Sequence, residues 1–97
     1  KIINGKLLEM NENDISKNIR NKIILIEKAD PGFDWIFSKK IKALITKYGG
    51  VNSHMSIRCE ELNVPAAIGI GEDNYNNIKD YSDLILNCKN EQIIKNN

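Results

Sequence analysis

Four consecutive aliphatic residues, Ile23 to Ile26 in "KIILIEK", constrain the fold more than any other stretch. Side chains alternate between the two faces of a strand, so a segment this continuously apolar cannot leave both faces to water. Residues Lys22 to Lys28 therefore read as a strand buried inside a sheet. The run is also far shorter than the roughly 20 apolar residues that span a bilayer. A chain of 97 residues has room for one compact domain with a modest core, taken as residues 1–97.

The segments around this strand supply its cover. "ADPGFDWIFSKKIKALIT" opens with Asp30, a helix-capping residue, and Pro31, whose missing N–H suits a first helical position. A short helix from about Pro31 to Lys40 is predicted, then a second buried strand in "KALIT" and a turn at "YGG". "SHMSIRCEEL" reads as a helix and "PAAIGI" as a third strand. Strand, helix, strand, helix, strand is the order of an α/β domain with crossover connections. Upstream, "KIINGKLLEM" reads as a strand with a turn or bulge at Gly5, and "NENDISKNIRN" as a polar connection. Downstream, "EDNYNNIKDYS" has room for a helical turn, and "DLILN" and "EQIIK" read as two more strands.

Charge excludes some partners. Fourteen basic and thirteen acidic residues leave a formal charge of +1 without long runs of one sign, which is no footprint for nucleic acid or an anionic membrane. The N-terminus lacks a signal-peptide pattern, so a soluble, cytoplasmic domain is expected. Cys59 and Cys88 stand without a CxxC or a histidine at zinc spacing, and they read as reduced core residues with no metal site. The chain opens on Lys1 and closes on "KNN", which suggests a piece of something longer.

One histidine occurs in the chain, in "GGVNSHMSIRCEEL". Asn52 and Ser53 are both good N-cap residues, which puts His54 in the first turn of the helix. Free N–H groups and the positive end of the helix dipole favour an anion there. The same dipole disfavours imidazolium, so the ring is expected to be neutral, with a lone pair able to attack. Gly49 and Gly50 allow a backbone path that a β-carbon resists and leave room for a bulky group. At about 100° per residue Met55, Cys59 and Leu62 form a core stripe, while His54, Arg58 and Glu61 share a neighbouring open face. Arg58 is placed to grip a phosphate or to pair with Glu61.

Gly49, Gly50, Ser53, His54, Ile57, Glu61, Leu62, Pro65, Ala66 and Gly69 lie where the phosphohistidine domain of the phosphoenolpyruvate-utilising enzymes carries its signature. The chain strongly resembles that swivelling β/β/α domain, and "DP" with Trp35 and "ALIT" extend the likeness over about residues 22–71. The resemblance implies that His54 is the phosphorylated nucleophile and that Gly49, Gly50, Asn52 and Ser53 shape its phosphate pocket. Several members place an arginine where Glu60 stands here, with Arg58 two residues earlier. It further implies a phosphocarrier within an ATP-dependent dikinase or phosphoenolpyruvate synthase-like enzyme. The partners would be an ATP-grasp nucleotide-binding domain and an acceptor or phosphoenolpyruvate/pyruvate domain. Magnesium would accompany ATP or phosphoenolpyruvate on those partner domains, with no cofactor held by this one. A relay of the enzyme I type and a degenerate docking domain are the alternatives.

Overall fold

The computed structural model describes residues 2–10, 18–28, 31–50, 53–80, 83–87 and 92–95. Its frame is a six-stranded sheet. In chain order the strands are β1 (Ile2–Glu9), β2 (Ile23–Lys28), β3 (Ala43–Tyr48), β4 (Ala66–Ala67), β5 (Asp83–Asn87) and β6 (Gln92–Lys95). In space the order is β4-β3-β2-β1-β5-β6. β1 to β4 run parallel, and β5 and β6 add an antiparallel flank. A 3-10 helix (Pro31–Lys39), α1 (His54–Glu61) and α2 (Glu72–Ile78) fill the crossovers. The fold is α/β, as the element order implied.

Ile23 to Ile26 are fully buried, and the reason is visible in the core. Ile24 and Ile26 join Leu44, Phe33, Ile36, Met55 and Cys59 on the face under the 3-10 helix and α1. Ile23 and Leu25 join Ala43, Ile45, Tyr75 and Ile78 on the face under α2. Parallel crossovers place helices on both faces of a sheet, so a continuously apolar strand is what they select. Burial pushes the Cys59 thiol up to about 11, consistent with a core residue. Cys88 lies outside the described residues.

Several sequence expectations need correction. Gly5 makes no turn or bulge: β1 pairs without interruption from Ile2 to Lys6 with β5, then from Leu7 to Glu9 with β2. "PAAIGI" pairs as a strand only at Ala66–Ala67, because Gly69 turns to a positive φ of 72°. Leu62 leaves the apolar stripe: it follows the end of α1 and is 44% exposed, while Met55 and Cys59 are buried. The helix predicted from about Pro31 is present at Pro31–Lys39, as a 3-10 helix of 9 residues in which side chains three apart eclipse. That period aims Phe33 and Ile36 into the core and sets Asp34 and Phe37 in the neighbouring row. The proposed cap, Asp30, lies outside the described residues. No helix among the described residues is long and apolar enough to cross a membrane.

Candidate functional site

The start of α1 is built as its sequence indicates. Ser53 is extended (φ −70°, ψ 155°), and its hydroxyl accepts the Ser56 N–H at 3.3 Å. Its own N–H donates to the Gly50 carbonyl at 3.0 Å. These bonds fix the corner between loop and helix and put His54 at the first helical position. The first-turn amides, which have no intrahelical acceptor, and the positive end of the dipole lie beside it.

The two glycines differ. Gly49 has φ 136°, a region that favours glycine, and its carbonyl packs against Gly69 so closely that a β-carbon on Gly69 would collide with it. Gly69 is held there by its N–H, which donates to the buried Thr46 hydroxyl at 2.9 Å. Ile70 and Gly71 donate to the carbonyls of Thr46 and Lys47, both at 3.0 Å. The return segment after Pro65 thus seats the glycine loop against β3, a link that spans 20 positions from Gly49 to Gly69. Gly50 has no positive φ, and a β-carbon there would meet open space. Its backbone does not require glycine; what it contributes is room beside Ser53. Asn52 lies outside the described residues.

His54 is exposed, its side chain 43% accessible, and it does not stand alone. Its Nε2 lies 2.9 Å from Oδ1 of Asp34, and the same oxygen accepts the Arg58 Nε–H at 3.1 Å. The hydrogen bond from His54 is the largest cause that lowers the Asp34 pKa below the ordinary 3.8; loss of solvation opposes it, and the hydrogen bond and charge of Arg58 lower it further. An ionised carboxylate can only accept, so the hydrogen of the contact belongs to Nε2. The dipole is therefore not the only charge acting on His54, as the helix-start argument alone would suggest.

Arg58 is held on three sides. Besides Asp34, its Nη1 lies 3.7 Å from Glu61 Oε1, and its guanidinium carbon stands 5.7 Å from the Phe37 ring centre. Asp34 and Phe37 reach it together because three-residue spacing aligns them on the 3-10 helix. The structure thus brings His54, Ser53, Gly50 and Arg58 to one corner, as the sequence placed them, and adds Asp34, which sequence reasoning missed. Its signal was faint: a lone carboxylate inside the apolar run "FDWIF". Among the described residues no group of three His, Cys, Asp or Glu side chains is placed to hold a metal ion. The corner offers an accessible imidazole, a guanidinium and the positive end of a helix dipole, which together suit an anion.

The family described as "PEP-utilising enzyme, mobile domain" matches residues 19–91. The chain is also similar to phosphoenolpyruvate synthase of Aeropyrum pernix, with 31% identity over 62 residues. That stretch is 63% of this chain and 7% of the synthase, so the chain spans only a small part of the curated relative it matches.

Proposed function

Because the chain belongs to the PEP-utilising enzyme family as a mobile domain, we propose that it is the phosphocarrier domain of a larger, ATP-dependent phosphotransferase related to phosphoenolpyruvate synthase. His54 is its nucleophile. The observation that carries this reading is an exposed imidazole at the Ser53-capped start of α1, inside the segment that the family matches. A ring nitrogen's lone pair forms the N–P bond while the bond from phosphorus to the donor's leaving oxygen breaks, its electron pair going to the leaving group. The helix-start amides and Arg58 then face the anion that results. On this reading an ATP-grasp domain of the same protein loads His54, and an acceptor domain, for phosphoenolpyruvate or pyruvate chemistry, unloads it. Magnesium would accompany ATP or phosphoenolpyruvate on those domains.

The reading is tested by supplying the full-length protein with ATP labelled at its transferable phosphates. Acid-labile, alkali-stable label should appear, and it should be lost in His54→Ala. Label of equal amount in that variant would overturn the assignment.

A further inference from the structure

We propose that Asp34 is a gate on His54: in the unloaded domain its carboxylate stands where the phosphoryl group will stand, and it must withdraw before Nε2 can react. The proposal rests on the reading of His54 as phosphoryl carrier and adds a residue that controls it. One oxygen, Asp34 Oδ1, bridges the imidazole and the guanidinium, 2.9 Å from His54 Nε2 and 3.1 Å from Arg58 Nε. A phosphoryl oxygen attached through Nε2 would be drawn to the same guanidinium, since charge-assisted bonds to phosphate and to carboxylate use one geometry. The carboxylate is thus an internal stand-in for the anion.

The contact also decides reactivity. Nε2 donates its hydrogen to Asp34, and a nitrogen carrying hydrogen in the ring plane has no lone pair with which to attack phosphorus. A negative carboxylate beside Nε2 repels an anionic donor as well. The arrangement is open to solvent: the side chains of His54, Asp34 and Arg58 are 43%, 45% and 34% exposed. Exposed side chains of this kind change rotamer rapidly. When Asp34 swings away, Nε2 gives its proton to water and Nδ1 takes one up, leaving the other neutral tautomer. The Nε2 lone pair then forms the N–P bond as the bond from phosphorus to the leaving group breaks. Arg58, no longer held by Asp34, turns to the new anion.

The consequence is a residue whose loss speeds the first step. Phosphoramidate, which needs no partner domain, serves as donor to the full-length protein as wild type, Asp34→Asn, Asp34→Ser and Asp34→Glu. Phosphate on the His54 peptide is followed with time, and the modified nitrogen is identified by phosphorus–proton NMR of that peptide. The wild type should be modified at Nε2. The Asn and Ser variants should react about two- to fivefold faster, the range that loss of one exposed ion pair supports. Asp34→Glu, which keeps the charge, should return toward the wild-type rate. Modification of the wild type at Nδ1, or Asn and Ser variants that react no faster, would overturn the gate. Labelling by ATP is a separate readout: its absence alongside faster Asn and Ser variants would remove the carrier reading and leave the gate standing.

Discussion

Each face of the sheet carries a polar cluster, and what holds each one in place differs. Under α2, the buried Tyr75 donates its O–H to Glu9, and Lys47 Nζ lies 5.0 Å from the Tyr48 ring centre and 5.1 Å from that of Tyr75. Burial, the bond to Glu9 and the negative charges of Glu9 and Glu27 all push the tyrosine pKa upward. That hydroxyl stays protonated near neutrality and ties α2 to β1. Beside α1, His54, Asp34 and Arg58 share one oxygen, but all three reach solvent. The ingredients are comparable, but the first cluster is anchored on a buried ring, Tyr75, with Glu9 and Tyr48 exposed at its rim, whereas every member of the second reaches solvent and is free to exchange a partner. Chemistry belongs where a nucleophile and freedom to rearrange coincide.

The largest effects are expected in the core. Leu25→Ala, under α2, should cost about 2–5 kcal/mol in urea unfolding, as buried leucines do, yet leave the His54–Asp34 contact in place below the transition. Ile24→Ala, under α1, should cost a similar amount and loosen that contact too. Equal disturbance of His54 by both variants, read from its ring NMR signals, would show that the faces are not independent.

Gly69→Ala comes next. Its positive φ and the collision with the Gly49 carbonyl should cost about 1–3 kcal/mol, and labelling of His54 should fall because the glycine loop shifts. Unchanged stability would remove Gly69 from the account of the loop. Ser53→Ala, which loses the bond to Ser56, should cost about 1 kcal/mol in thermal or urea unfolding. Tyr75→Phe should cost a comparable amount or less and leave phosphorylation of His54 unchanged, whereas a change would join the two clusters.

The smallest effect is with pH. The Asp34 pKa is lowered in the folded chain relative to its ordinary 3.8. Its contribution to stability is therefore complete above that value and is lost as pH falls through the lowered one. Carboxyl carbon NMR should place the Asp34 midpoint below 3.8, and Arg58→Gln should move it upward; a midpoint at or above 3.8 in the wild type would deny the shared oxygen.

Local rules carried the sequence reading a long way. "IILI" reads as a strand covered on both faces, and Asn52 and Ser53 both read as caps of a helix with His54 in its first turn, of which the helix uses Ser53. Those inferences use neighbours a few residues apart. What the sequence hid depends on distant partners or on where an element stops. Asp34 meets His54 across 20 residues, and it does so only because a 3-10 period turns it toward α1. Leu62 fitted the apolar stripe of a helix that ends one residue before it. Ala66–Ala67 continues as no longer strand because Gly69 must turn to meet Gly49, a contact that spacing alone does not display.

The most direct measurement is the site of phosphorylation in the full-length protein. After exposure to ATP with magnesium and digestion at alkaline pH, mass spectrometry should find phosphate on the peptide containing His54 and on that residue. Phosphate on another residue, with His54 unmodified while the protein turns over, would contradict the account.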